Sequence, residues 1–227
     1  YIGIAQLDEH RITRLVAGMA DYLEACGCIL AGGETAEMPG LVPEGVVELS
    51  GFCVGCVEKD EMLDAGEIAP GDVLVGYESN GIHANGWSLV RRVLAENSGV
   101  FSQAEVESLL PPTRLYHDVV NDLKANGVRA RAMAHITGGG LPENLERLLL
   151  DQEYGSSLTV PAWENAAVQK LLAYVDKTSC WHTFNMGFGW VVIVEESDVG
   201  MAVEAGPGGT VLGVVDRNPG IRVSSQQ

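Results

Sequence analysis

The chain has 227 residues, 46% of them hydrophobic, and a formal net charge of −17. Such a chain buries one large core or two small ones, and its acidic surplus excludes a nucleic-acid backbone as partner, which needs a basic face for counterion release. No apolar run nears the roughly 20 residues of a membrane span, Tyr1-Ile2-Gly3-Ile4 lacks the regions of a secretory signal, and five cysteines, an odd number, point to a reducing, cytoplasmic setting.

Ile12, Leu15, Val16, Met19, Ala20 and Leu23 recur at three- and four-residue steps, which predicts a helix over 10–26 that stops at Gly27. A short apolar run, 28–31, reads as a strand that ends at Gly32-Gly33. A longer run, 46–57, is rich in β-branched residues and bounded by Pro43 and Glu58-Lys59-Asp60-Glu61, so it reads as a strand. The acidic stretch that follows carries Glu58, Asp60, Glu61, Asp64 and Glu67 and closes on Pro70-Gly71. It reads as a junction near residue 66, between domains 1–66 and 67–227; a long surface hairpin loop fits the same composition.

Beyond it, 72–77 is a buried strand and 86–96 a helix with Trp87, Val90, Val93 and Leu94 on one face. A helix over 113–126 has Thr113 as its cap, Leu115, Val119, Val120 and Leu123 on one side, and Asn126-Gly127 as its stop. A strand at 132–137, a glycine turn and a helix at 141–150 come next. Strands at 157–160, 189–194 and 210–215 alternate with helices near 162–175 and 197–205. The pattern is that of an α/β (α+β) fold, a mixed sheet covered by helices.

Four segments combine small residues with chemistry. In Gly32-Gly33-Glu34-Thr35-Ala36-Glu37-Met38-Pro39-Gly40, a loop can bring Glu34 and Glu37 toward one point, where hard oxygen ligands suit Mg²⁺ on phosphates; an acidic surface turn with a Thr cap fits as well. In Ser79-Asn80-Gly81-Ile82-His83-Ala84-Asn85-Gly86, the glycines let the backbone approach a ligand, and His83 and Asn85 stand just ahead of a helix N-terminus; a capped turn with a locally packed His is the bland reading. His135-Ile136-Thr137-Gly138-Gly139-Gly140-Leu141-Pro142-Glu143-Asn144 puts three glycines before a helix with Pro142 in its first turn. That suits an anion or a tight helix–strand turn, and it matches neither the P-loop nor the dinucleotide fingerprint. Thr183-Phe184-Asn185-Met186-Gly187-Phe188-Gly189 offers the Asn185 amide to a ligand or a neighbouring loop. Cys26-x-Cys28 and Cys53-x-x-Cys56 have zinc-like spacing, but the second pair sits in an apolar run whose alternate residues face opposite ways; all four read as buried structural thiols.

In this order, the four segments resemble the phosphoribosylformylglycinamidine cyclo-ligases (aminoimidazole ribonucleotide synthetases). Residues 32–40 are similar to that family's G-G-E-T-A-E-M-P element, and 79–92 to S-x-G-x-H-x-N-G-[FY]-S-L-V-R-[KR], with Trp87 at the aromatic position. Residues 135–144 resemble H-I-T-G-G-G-x-x-E-N and 183–189 T-F-N-x-G-x-G; Pro112-Thr113-Arg114-Leu115-Tyr116 also fits. The resemblance runs the whole chain. It implies transfer of the ATP γ-phosphoryl group to an oxygen of formylglycinamidine ribonucleotide, followed by ring closure as an internal nitrogen displaces phosphate, with Mg²⁺ and a homodimeric enzyme. It puts Glu34, Thr35 and Glu37 near nucleotide or metal, His83 and Asn85 at the reacting oxygen or substrate phosphate, and Thr137, Gly138, Gly139 and Gly140 around phosphate. Asn144 and Asn185 orient ligand in the same reading. Thiamine-monophosphate kinase, selenophosphate synthetase, a hydrogenase-maturation protein and the larger purine amidotransferase share the implied architecture, and the first element favours the cyclo-ligase. Family members are longer at the N-terminus and this chain has no initiator Met. The resemblance therefore makes 1–66 the second part of the ATP-binding domain and 67–227 a complete C-terminal domain, the piece alone being inactive or weakly active. The alternative is a non-catalytic module that binds a phosphometabolite or a partner.

Overall fold

The computed structural model describes residues 1–226, and the chain divides into two compact units, Tyr1–Glu61 and the remainder from Met62 on. In the first, β1 (Ile2–Ile4), β2 (Thr35–Glu37) and β3 (Val47–Leu49) form a three-stranded sheet of order β2-β1-β3, with α1 (Glu9–Ala25) between β1 and β2 in the chain. β1 runs parallel to β2 and antiparallel to β3. Asp8 caps α1 by accepting from Arg11 N, and Gly27, at φ +70, takes the left-handed turn that ends it. Buried apolar side chains among the described residues of this unit are Ile2, Ile4 and Val42.

Several expectations fail in this unit, beginning with the strand over 28–31, whose residues are exposed and form no strand. The strand expected over 46–57 shrinks to β3, and the residues after it are exposed, Phe52 at 94% and Val54 at 83%. An apolar run becomes a full strand only where a neighbour pairs its backbone, and β1 supplies three residues of partner. The cysteines follow: Cys28, Cys53 and Cys56 are exposed, Cys26 is partly covered, and Cys180 is the buried one.

The second unit is built on a six-stranded sheet of order β5-β7-β4-β8-β6-β9, made of β4 (Val73–Glu78), β5 (Ala132–His135), β6 (Gly155–Val160), β7 (Phe188–Val194), β8 (Gly209–Asp216) and β9 (Gly220–Ser225). The ladders are antiparallel except for β6 with β9. Its helices are α2 (Trp87–Glu96), α3 (Gln103–Glu107), α4 (His117–Ala125), α5 (Gly140–Leu149), α6 (Ala166–Leu172), α7 (Lys177–Thr183) and α8 (Val199–Glu204).

β4 is buried on both faces, and its alternation divides the core. Leu74 packs with Leu141, Leu145, Leu158, Val191 and Ile193 under α5. Val73, Val75 and Tyr77 pack with Val119, Leu123, Val192 and Ala202 under α4 and α8. The Tyr77 hydroxyl donates to Ala202 O at 2.6 Å, so burying the phenol leaves no orphaned polar group. A third cluster joins Val90, Val93, Val168, Leu171 and Phe184 around α2 and α6.

The helix expected from Thr113 begins at His117, and its N-cap residue Tyr116 supplies no side-chain cap. Thr113 therefore lies outside the helix, three residues ahead of its N-cap position. α3, α7 and β9 were not foreseen. α3 is a five-residue helix carried by a Ser102–Glu105 capping box, too short for an apolar period to show.

Candidate functional site

β7 lies between β5 and β4 and runs antiparallel to both. Chain leaving the C-terminal ends of β4 and β5 and chain entering the N-terminal end of β7 therefore meet at one end of the sheet. Those three stretches are the second, third and fourth glycine segments. Glu78 pairs with Phe188 and His135 with Trp190 in the ladder, which fixes how the loops stack.

Asn185 joins two of them. Its Oδ1 accepts from Ser79 Oγ at 3.1 Å and from Gly187 N at 2.9 Å, and its Nδ2 donates to Gly81 O at 2.9 Å. The side chain is 3% exposed, with its amide committed to these loops. Asn144, 1% exposed, does the same for the glycine loop: Nδ2 donates to Gly140 O at 2.7 Å, Gly138 O at 3.2 Å and Thr137 O at 3.3 Å. Its Oδ1 accepts from Arg147 Nη2 and from Thr137 Oγ1.

The helices that start from these loops leave their N-termini open. α2 begins after Gly86 at φ +79 and α5 after Gly139 at φ +94, and no side chain caps either. Each helix has ten residues and a positive dipole end toward an anion. In α5, Gly140 N donates to Thr137 O at 3.0 Å and Pro142 has no N–H, so fewer main-chain donors stay open there than the missing side-chain cap suggests. Asn85 and Gly86 stand, half-buried, at the first of these; Thr137 and Gly139 are half-buried and Gly138 exposed at the second.

His83 has left-handed backbone at φ +59, costly for a residue with a Cβ and characteristic of functional corners. The indole of Trp87 donates to its carbonyl at 2.8 Å and clamps that conformation. The imidazole is buried beside Tyr116 and His135, ring centroids 6.3 Å from each, and Tyr116 stacks on Trp190 at 5.8 Å. Burial, then the nearby His135 and the Arg114 guanidinium, pull its pKa down to about 4, so it is neutral at pH 7. Arg114 donates to Glu78 O and Pro207 O and lies 4.8 Å over the Tyr116 ring. A Cβ on Gly189 would fall 2.2 Å from the Tyr116 hydroxyl and 2.5 Å from His83 Cε1; only glycine permits this packing.

Asn80, Tyr116 and Trp190 were not singled out from sequence as site residues. Tyr116 lies in the Pro112–Tyr116 stretch that resembles the family, and nothing local in the sequence marks its approach to His83. Ser79, Asn80, Trp163, Met186, Gly187 and Thr210 share a cleft of about 390 Å³, and Met186, at φ +50, is a second left-handed non-glycine corner there.

The first segment lies in the other unit. Glu34 O accepts from Ile2 N at 2.9 Å and Thr35–Glu37 is β2, so a strand stands where a loop was expected. Alternation along an extended segment turns residues three apart to opposite faces, so Glu34 and Glu37 do not converge. The Glu37 carboxylate accepts from Leu7 N at 2.5 Å and lines a cleft of about 600 Å³ with Gln6, Pro39 and Gly40. Thr35 is exposed. Among the described residues, no group of three or more His, Cys, Asp or Glu is arranged to hold a metal ion. Such a cluster would be needed for an ion held by protein groups alone; an ion completed by ligand phosphates needs one or two carboxylates, and Glu34 and Glu37 do not provide two at one point.

Family comparisons agree with this geometry. Residues 69–225 match the model of the AIR synthase related protein, C-terminal domain, and residues 1–57 that of its N-terminal domain. The phosphoribosylformylglycinamidine cyclo-ligase of Synechococcus sp. (strain CC9311) is 42% identical over 215 residues, covering 90% of this chain and 62% of its own length. That of Thermosynechococcus vestitus is 40% identical over 229 residues, covering 93% and 67%. In a further relative, the cyclo-ligase of Synechococcus sp. (strain CC9902), 40% identical over 205 residues, the matched part is 59% of its length; the chain thus spans about three-fifths of both Synechococcus relatives. Among solved structures, E. coli HypE superposes with a TM-score of 0.71 at 17% identity, covering 98% of this chain and 68% of that one. T. maritima PurL complexed with FGAR gives 0.62 at 15%, covering 99% and 36%. These two share the fold. By both family models and by the extent of its identity with the cyclo-ligases, the chain belongs to the AIR synthase related proteins, in the phosphoribosylformylglycinamidine cyclo-ligase family.

Proposed function

We propose that this chain is the part of an ATP-dependent cyclo-ligase that holds phosphorylated ligands during closure of the aminoimidazole ring of formylglycinamidine ribonucleotide. One observation carries the reading: three glycine corners at one sheet end, two of them opening ten-residue helices that no side chain caps. Two open helix N-termini suit two polyanions held side by side, which supplies the proximity that phosphoryl transfer needs. Main-chain N–H groups of Thr137, Gly138 and Gly139 grip one phosphate, while Gly140 N closes the turn on Thr137 O and Asn144 shapes the loop from behind. Asn85 presents its amide to the reacting oxygen or substrate phosphate, and neutral His83 stands behind it as a proton acceptor. Asn185 locks the two loops together.

The ATP γ-phosphoryl group passes to the amide oxygen, ADP leaves, and an internal nitrogen then displaces inorganic phosphate. T. maritima PurL, of the same fold, has been solved complexed with ATP. No step here runs through Mg²⁺, for which Glu34 and Glu37 offer no common point. The whole enzyme is read as a cytoplasmic homodimer, and no helix of this chain is long and apolar enough to cross a membrane.

The test is release of ADP and formation of aminoimidazole ribonucleotide from ATP and formylglycinamidine ribonucleotide, by this chain and by a polypeptide extended to the relatives' length. Turnover by the extended protein, with little or none by the shorter chain, is the expected result. Ligand binding by calorimetry with no turnover in either would favour a phosphometabolite-binding module. ADP release driven only by another superfamily substrate would overturn the reading.

A further inference from the structure

The Asn80 side chain bridges two segments, and its orientation is settled by its partners. On one side it meets Pro112 O at 2.8 Å. A carbonyl only accepts, so the group facing it is the Nδ2 amide, and Oδ1 is the atom turned toward His83 Nε2, 2.9 Å away. An amide oxygen only accepts as well. His83 Nε2 therefore carries a hydrogen, and in the neutral ring Nδ1 carries the lone pair.

The surroundings of that second nitrogen support this tautomer. Nδ1 is buried and has no hydrogen-bond partner among the described residues. The polar groups nearest the ring are committed elsewhere: Tyr116 OH donates to Glu78 O at 3.0 Å, and Arg114 donates to Glu78 O, Pro207 O and Asp118. His135 faces the ring at 6.3 Å between centroids, and Gly189 main chain backs its Cε1 edge. Nothing holds a proton on Nδ1, and one acceptor holds it on Nε2.

We infer that Asn80 is a positioning residue that fixes His83 as the Nε2–H tautomer, leaving Nδ1 as the nitrogen that takes up a proton at this site. The value of that nitrogen to catalysis rests on the function proposed above; the tautomer itself does not. A buried general base works only if the correct nitrogen is bare, because changing tautomers means moving a proton between ring atoms. Pro112 is then the anchor that keeps the Asn80 amide from flipping.

Nitrogen-15 labelling of the histidines in the purified chain, read by long-range proton–nitrogen correlation at pH 7, tests this. Wild-type His83 is expected as a single neutral form with hydrogen on Nε2. Asn80→Ala removes the acceptor and should move the tautomer ratio toward Nδ1–H by about tenfold, the worth of one hydrogen bond. Asn80→Asp keeps an acceptor and adds a negative charge, so Nε2–H should persist while His83 titrates at higher pH than in wild type. Nδ1–H in the wild-type protein overturns the inference, as does a tautomer ratio that Asn80→Ala leaves unchanged. Should Asn80→Ala not fold, the wild-type spectrum and the Asn80→Asp titration still decide it. In the extended polypeptide, Asn80→Ala should lower kcat with little change in KM. Absence of turnover in every variant, beside the expected spectra, would count against the proposed function and leave the tautomer standing.

Discussion

Gly140 combines φ +60 with a position where an added Cβ would lie 1.8 Å from the main-chain oxygen of Trp181. Backbone cannot retreat as a flexible side chain does, so Gly140→Ala should destabilise the second unit by about 3 kcal/mol in urea unfolding. Gly138 has nothing within 4 Å of its Cβ position, and Gly138→Ala should stay within about 0.5 kcal/mol of wild type. His83 links the same corner to pH. Its pKa falls from 6.5 to about 4 on folding, so between these values the unfolded chain binds the extra proton. The stabilisation is fully present above pH 6.5 and is lost as pH falls through 4, to a total of about 3 kcal/mol. His83→Gln should flatten that slope in unfolding measured from pH 7 down to pH 4; an unchanged slope would assign it to other groups.

At the scale of elements, α5 depends on how its loop is tied rather than on a capping side chain. Asn144 is the fifth residue of that helix and donates back to the carbonyls of Thr137 and Gly138 in the loop and of Gly140 at the helix start. Asn144→Ala should cost about 2 kcal/mol, because buried acceptors lose their partner, and should weaken phosphate binding by loosening the glycine loop. Asn144→Asp keeps the shape, loses the donors and adds negative charge, so it should bind phosphate more weakly than Asn144→Ala if the loop is an anion site. Equal binding by wild type and both variants, followed by calorimetry, would take the anion elsewhere. Elements with long apolar periods, α2, α5 and β7, were legible from sequence within a residue or two. β2 and β3 were not, since three-residue strands exist through β1 and carry no pattern of their own.

For the molecule as a whole, the two units differ in how much core each owns. The second carries three apolar clusters, whereas the first buries Ile2, Ile4 and Val42 among its described residues while Ile29, Leu41 and Phe52 are more than four-fifths exposed. We propose a domain junction in the acidic stretch near residue 66. Residues 67–227 expressed alone should unfold cooperatively with native near-ultraviolet dichroism, and residues 1–66 alone should not. Loss of cooperative unfolding in the longer piece would show that the boundary is misplaced.

Sequence by itself determined which short segments combine glycines with polar and titratable side chains, because a glycine pair, a histidine and an asparagine at fixed spacing are local properties of the chain; that these segments carry the chemistry is the proposal made above. It also determined the α/β (α+β) class, through apolar periodicity. Only the tertiary structure decided that the second, third and fourth segments meet, since that follows from β7 lying antiparallel between β5 and β4. It likewise decided that Asn144 and Asn185 turn inward to the backbone, and that Glu37 lies in strand β2 with Glu34 just ahead of it, where a loop was expected. Strand order and side-chain direction depend on pairings between residues far apart in the chain, and no local pattern encodes them.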